Sequence, residues 1–377
     1  MGPLRGYKII EIAGIGPGQL CGMLLADMGA SLVRIDKPGG SDPGIGLSAR
    51  FNLMNRSRPA LAIDLKSEGG AQLVLALCEH ADALFEGFRP GVMERLGLGP
   101  DECMRRNGRL VYGRMTGWGQ SGPLADAVGH DGDYAAVAGA IGAIGTEDGP
   151  PSIPLNLVAD FGGGGTFLAI GLLAALLEAR DSGRGQVVDA AMVDGVASLM
   201  TMFHGLKAAG IWEDRRASNF LDGAAPFYRA YRTSDDRYVI VCAIEPPFYR
   251  SLLEALGIDD ADTRSQFDKN RWPALIERLE AIFKTRTRDE WCALLEGTDA
   301  CFAPVLSLAE APQHAHLEAR ETFVEIDGVV QPAPAPRFSR TESEIGQAPA
   351  DAGSDLPAAL AGWGLSEEQM ARLTAIG

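Results

Sequence analysis

The stretch from Tyr7 to Asp36 constrains the fold of this chain most. Tyr7-Lys-Ile-Ile-Glu-Ile-Ala13 is a run of β-prone residues that reads as a buried strand. Gly14-Ile-Gly-Pro-Gly18 is a tight turn, Gln19–Met28 a helix, and Ser31–Ile35 a second strand ending at Asp36. A helix between two strands returns the chain to the starting end of the sheet, so the strands must run parallel. The alternation continues. Ala60-Leu-Ala-Ile-Asp64-Leu-Lys66 reads as a short strand, Glu68–His80 as an amphipathic helix, and Ala83–Phe85 and Arg109–Gly113 as further strands. Strands recurring between helices predict a doubly wound α/β domain. The first turn invites a dinucleotide site, but that fingerprint needs Gly or Ala in its last place. Counting from Gly14 that place is Gln19, counting from Gly16 it is Cys21, and Pro17 sits inside the turn.

The basic residues fall in a pattern. Lys37, Lys66, Arg89 and Arg95 lie at or just past predicted strand ends. Open α/β sheets bind ligands in the crevice beyond the carboxyl ends of their strands. Several cations there suit a multiply phosphorylated ligand, with Arg offering a fork and Lys a point charge. Each of them alone reads equally as a surface cation.

The stretch from Gly129 to Gly165 carries candidate chemistry. It opens with Gly129-His130-Asp131 and closes with Asn156-Leu-Val-Ala-Asp160-Phe161 and four glycines, ahead of the apolar run Phe167–Leu177. A carboxylate at a glycine-rich helix start sits among backbone N–H groups at the positive end of the helix dipole. His130 and Asp160 can face each other only if the chain doubles back, which Gly139, Gly142, Gly145, Gly149 and Pro150–Pro151 allow. The plain alternative is a structural histidine and a helix-capping aspartate.

Gly162–Arg180 reads as a helix, Gln186–Asp189 as a strand and Ala190–Leu206 as a helix. Beyond a connector at 207–226 the character changes. Tyr228–Thr233 and Tyr238–Ala243 alternate around Ser234-Asp-Asp-Arg237, a hairpin, and Glu245-Pro246-Pro247 opens the helix Phe248–Leu256. Helices near Pro273–Phe283 and Arg288–Leu295 and a strand at Cys301–Leu306 follow, then an extended segment with Gln331-Pro-Ala-Pro-Ala-Pro336 and a short helix near Glu367–Thr374. The expected organisation is a large domain at 1–206, a linker at 207–226, a small α+β domain at 227–325, and a return segment at 326–377 completing the large domain. A net charge of -16 argues against nucleic acid as a partner, because phosphate backbones need a basic face. The longest apolar run is too short to span a bilayer, no secretory signal or peroxisomal address is recognised, and membrane insertion is not expected. Six cysteines without CxxC spacing read as reduced, buried thiols of a cytoplasmic protein rather than a metal site or a disulfide framework.

These residues carry a resemblance to the family III CoA-transferase (CaiB/BaiF) superfamily, and within it to its alpha-methylacyl-CoA racemase branch. The matching stretches include Ile12-Ala-Gly-Ile-Gly-Pro-Gly18, Val33-Arg-Ile-Asp36, Gly87-Phe-Arg-Pro-Gly91, Arg95-Leu-Gly-Leu-Gly-Pro100 and Met115-Thr-Gly-Trp-Gly-Gln-Ser-Gly-Pro123. They continue with Gly129-His-Asp131, Pro154-Leu-Asn-Leu157, Asp160-Phe-Gly-Gly-Gly164, Gly183-Arg-Gly-Gln-Val-Val-Asp-Ala-Ala-Met192, Ala243-Ile-Glu-Pro246 and Pro336-Arg-Phe-Ser339. The resemblance implies a Rossmann-like large domain, a small domain, and two chains interlocked as rings in a homodimer. It implies CoA in the sheet crevice, as part of the substrate, with no separate cofactor and no metal. CoA contacts fall by resemblance on Ile15, Lys37, Ile63, Asp64, Leu65, Lys66, Gly87, Phe88, Arg89, Arg95, Gly129 and Tyr134. Lys37 departs from the family's usual Arg, which keeps charge but loses bidentate geometry.

Transferases of this superfamily use the aspartate matching Asp160 as an acyl-carrying nucleophile. They have an aromatic residue at the position of His130 and a glycine-rich small-domain loop, where this chain has only isolated Gly257 and Gly297. The racemase pattern has His130, Asp160 and Glu245 together, and all three are present. Inverting a 2-methylacyl-CoA at its α-carbon requires proton removal on one face, delivery on the other, and a stabilised enolate. A histidine exchanges protons near its ordinary pKa of about 6.5, whereas Asp160 must be tuned. Glu245 is expected to orient His130 as a triad carboxylate does, or else simply to stand ahead of its helix. The backbone N–H of Asp131 is expected to donate to the thioester oxygen, and Asn156 to position the Asp160 loop.

Overall fold

A computed structural model of the chain describes residues 2–39, 46–259, 263–353 and 355–376, which include every candidate site residue. In chain order the elements are β1 (Lys8–Ile12), α1 (Pro17–Asp27), β2 (Ser31–Asp36), β3 (Ala60–Ala62), α2 (Glu68–Cys78), β4 (Ala83–Glu86), α3 (Val92–Arg95), α4 (Pro100–Arg106) and β5 (Val111–Thr116). Then come α5 (Asp131–Val137), α6 (Ala140–Ala143), a π-helical segment Leu157–Gly165 running directly into α7 (Thr166–Ser182), β6 (Val187–Ala191), α8 (Met192–Leu199) and α9 (Thr201–Ala208). The rest comprises β7 (Tyr228–Arg232), β8 (Tyr238–Cys242), α10 (Pro246–Ala255), α11 (Trp272–Phe283), α12 (Arg288–Leu295), β9 (Phe302–Pro304), α13 (Ala315–Ala319), β10 (Phe323–Ile326), β11 (Val329–Pro332), α14 (Leu356–Ala359) and α15 (Glu367–Ile376).

The α/β fold read from the sequence is the fold observed. Six strands form one sheet in the order β3-β2-β1-β4-β5-β6, every pair parallel. The chain leaves β1 toward β2 and β3 on one side and then crosses to β4, β5 and β6 on the other. The order therefore reverses between β1 and β4, which opens a crevice at their carboxyl ends. β1 and β4 are buried almost throughout, as strands covered on both faces must be.

The elements form two compact units, one of residues 1–138, 155–200 and 319–377, the other of 139–154 and 201–318. In the first, α2 and the C-terminal elements share an apolar cluster with β1, β2 and β4, anchored by Trp363 at 1% exposure. Residue Gly353 extends the sheet edge beside β3, exchanging hydrogen bonds with Ala60 and Ala62. In the second unit, the β7–β8 hairpin adds β9 as a third antiparallel strand, and Phe227, Tyr231, Trp272, Phe283 and Trp291 fill its core.

Several elements depart from the sequence reading. The helix expected over Ala190–Leu206 is two helices meeting at Met200. The short helices α3, α4 and α6 and the β10–β11 hairpin add to the elements read from the sequence, while α5 starts at Asp131, where the sequence reading expects a helix. The π-helical segment and α7 form one apolar helical stretch of 26 residues, long and apolar enough to cross a membrane by length and composition, where the sequence showed only the shorter run Phe167–Leu177. Here Leu168 and Leu172 of α7 pack over Gly113 of β5, so one face of the stretch lies on the sheet. All six cysteines are free thiols, with 21, 78 and 103 buried and 242, 292 and 301 partly so.

Candidate active site

The return between His130 and Asp160 is made, and a side chain closes it. Asp131, 7% exposed, accepts hydrogen bonds through Oδ1 from the backbone N–H groups of Ala159 (2.8 Å) and Asp160 (2.7 Å). The first turn of the π-helical segment is thus held by the residue next to His130. A π turn is wider than an α turn and is uncommon away from functional sites. The glycine run permits it, because a Cβ on Gly163 would meet the Val196 backbone nitrogen of α8 at 2.7 Å.

Asp160 lies inside this turn rather than ahead of the helix, half-buried. Its Oδ2 accepts from Nδ2 of Asn156 at 3.1 Å. Its other wall is the turn after β1. Gly16 adopts φ +76°, and a Cβ there would stand 2.8 Å from Asp160 Oδ2. Burial pushes the Asp160 carboxyl above the usual carboxylate range. The Asp131 charge adds to this, while the Asn156 hydrogen bond and the field of His130 oppose it.

His130 stands one residue ahead of α5 in extended backbone, exposed, and its own N–H donates to Oδ2 of Asp133 (2.9 Å). The Asp131 N–H falls in the first turn of α5, where backbone donors have no partner within the helix. Behind it Tyr134 is buried, donates its hydroxyl to the Gly129 carbonyl, and packs edge-on against Trp118 with centroids 4.8 Å apart. Glu245 occupies the residue before α10 in the second unit. Its side chain makes no capping hydrogen bond and is exposed.

The other candidates line the carboxyl edge of the sheet. Ile15 is exposed in the turn after β1, and Lys37 directly follows β2. Ile63, Asp64, Leu65 and Lys66 follow β3, where Asp64 Oδ1 accepts from the Lys66 N–H at 3.0 Å. Gly87, Phe88 and Arg89 follow β4, and Arg95 ends α3. Lys66 and Arg95 share a cleft of about 500 Å³ with Leu65, Ser67, Gln72 and Leu96, while Lys37 and Arg89 do not line it.

Sequence reasoning missed the role of the Asp131 side chain and the support of the Gly16 turn. The Gly16 N–H donates to Oε1 of Gln19 (3.2 Å), and Nε2 of Gln19 donates to Oδ1 of Asn55 (3.2 Å). That oxygen also accepts from Nη2 of Arg58 (3.1 Å), whose Nη1 pairs with Glu11 on β1. Glu11 and Arg58 are each 1% exposed, and burial works against both charges, raising the Glu11 pKa and lowering that of Arg58. The signal was present, since a Glu within a buried strand demands a partner, but nothing local named Arg58.

A parallel sheet whose switch point opens beside His130 and Asp160, with lysines and arginines near the same edge, defines an α/β protein of the class that takes its ligand beyond the carboxyl ends of the strands. The chain belongs to the family described as CoA-transferase family III, which it matches over residues 4–355. It is 41% identical over 374 residues to alpha-methylacyl-CoA racemase of Mus musculus, covering 98% of this chain and 96% of the relative. It is 40% identical over 341 residues to alpha-methylacyl-CoA racemase of Homo sapiens, covering 90% and 87%. Its fold is similar to that of the protein Rv3272 of Mycobacterium tuberculosis, with a TM-score of 0.81 at 28% identity and coverage of 96% and 99%.

Proposed function

We propose that this protein is a racemase interconverting the (R) and (S) forms of 2-methylacyl-CoA thioesters. The observation that carries the reading is the Asp131 clasp, which sets Asp160, its carboxyl pushed above the usual carboxylate range by burial, in the field of His130 at the switch point. Relatives about 40% identical, bearing the name alpha-methylacyl-CoA racemase, support it. The C2–H bond breaks on one face, with His130 or Asp160 taking the proton, and the electron pair spreads into the thioester as an enolate. The conjugate acid of the other residue protonates C2 on the opposite face, so the thioester and CoA leave unchanged. The Asp131 N–H donates to the enolate oxygen, Asn156 holds the Asp160 carboxylate, and Glu245 is the third catalytic residue. The step is redox-neutral, and CoA enters as part of the substrate.

Lys37, Lys66, Arg89 and Arg95 hold the phosphates of CoA in this reading, with Ile15, Ile63, Asp64, Leu65, Gly87, Phe88, Gly129 and Tyr134 forming the rest of its bed. The working form is an interlocked homodimer, supported by Ile170, Leu177 and Leu199, which expose apolar surface on α7 and α8. Sedimentation should then give twice the chain's 39.9 kDa. Six free thiols favour the cytoplasm as its location.

The test is proton NMR of an enantiopure 2-methylacyl-CoA in deuterated water, with no acceptor acid. Loss of the C2 proton together with appearance of the other enantiomer is expected, and His130→Ala or Asp160→Ala abolishes both. No exchange, with CoA passing to an added free acid, would replace this reading with acyl transfer through Asp160.

A further inference from the structure

The last residue of β4 is a buried glutamate that the proposed reaction does not use. Glu86 is 2% exposed. Its Oε2 accepts from the Phe88 N–H at 2.6 Å, across the first turn of the loop Gly87–Gly91. Its Oε1 lies 3.5 Å from Nε of Arg114, its register partner on β5. Nη2 of the same guanidinium bonds Glu94, on the one-turn helix α3 that ends in Arg95. One carboxylate is therefore tied directly to the loop carrying Phe88 and Arg89, and through Arg114 to the helix carrying Arg95.

We propose that Glu86 is a positioning residue for CoA, its anionic form holding the Phe88–Arg89 loop and the Arg95 helix in the arrangement that receives the ligand's phosphates. This rests on the acyl-CoA reading of the site. The groups facing Glu86 are Arg114 and Tyr112 from β5 and Glu94 from α3. Burial raises the Glu86 pKa to about 7. The Phe88 N–H and Arg114 oppose the shift, and the Glu94 charge adds to it. Above that pH the carboxylate keeps its charge-assisted hydrogen bond from the Phe88 N–H and its ion pair with the Arg114 guanidinium, and below it both weaken. Binding of the ligand should therefore loosen as the pH falls through neutrality, independently of proton transfer at C2.

The experiment measures the Kd of dephospho-CoA by calorimetry between about pH 6 and pH 8. That probe lacks the phosphate monoester whose own second ionisation falls near pH 6. The wild type should bind several-fold more weakly at the acid end. Glu86→Gln should bind about tenfold more weakly at pH 8, the factor of one charge-assisted hydrogen bond, with little pH dependence left. Glu94→Gln tests the chain without touching Glu86. It frees Arg114 and removes a like charge, both of which favour the Glu86 anion, so the transition should move to lower pH. A pH-independent wild-type Kd, or a Glu94→Gln transition that stays or moves up, overturns the proposal even if Glu86→Gln does not fold. Failure of the wild type to bind dephospho-CoA and CoA at any pH overturns instead the acyl-CoA reading.

Discussion

Gly16 is where a single methyl group tests the site. Its φ of +76° with ψ of -110° lies where residues with a Cβ are strained, at a cost on the order of 1–3 kcal/mol. An alanine Cβ would also stand 2.8 Å from Oδ2 and 3.2 Å from Cγ of Asp160, closer than a carbon atom tolerates. Relief must come from one of two sides. The turn is held by Gln19, Asn55 and Arg58, all buried, so it resists movement. Among the described residues Asp160 is held by Asn156 and the backbone clasp of Asp131, so the carboxylate yields. A displacement of about 1 Å at a reacting group costs on the order of a hundredfold in rate. Gly16→Ala should therefore lower the rate of C2 proton exchange by about that factor and lower the midpoint of urea denaturation. Gly14→Ala is the control, because a Cβ there meets nothing within 4 Å. If Gly16→Ala exchanges the proton as fast as Gly14→Ala, the contact between the turn and Asp160 does not set the geometry of the base.

Asp131→Asn keeps an oxygen for the N–H groups of Ala159 and Asp160 but removes the like charge that helps raise the Asp160 pKa, so the acid limb of the rate–pH profile should move to lower pH; a limb that stays or rises refutes the coupling. Arg58→Met leaves the Glu11 carboxylate buried without its partner and should destabilise the fold by about 3–5 kcal/mol. Adding Glu11→Leu should recover much of that loss in denaturant unfolding, and a fully additive double variant would show that the two charges do not act as a pair. Trp363→Ala empties the cluster that joins the C-terminal elements to α2 and should cost about 3–5 kcal/mol by the same measurement, without moving the rate–pH profile.

The sequence by itself determined the parallel sheet, because strand and helix periods are local and a helical crossover leaves one direction for the next strand. It also put Lys37, Lys66 and Arg89 near one edge of that sheet, since a residue soon after a strand end in a parallel sheet arrives at the common carboxyl edge, whereas Arg95 ends α3. The short helices α3, α4 and α6 escaped it, being too short to show a period. So did the π turn, whose width depends on α8 closing on Gly163. Only the tertiary structure decided how Asp160 is held and tuned. The Asp131 bond spans 29 residues and the Arg58–Glu11 pair 47, while Gly16 meets Asp160 from a turn far earlier in the chain. Residue types announce that such groups need partners, because buried charge is costly. Which partner arrives is settled by the whole chain, when the sheet closes and strands distant in sequence bring their loops to one edge.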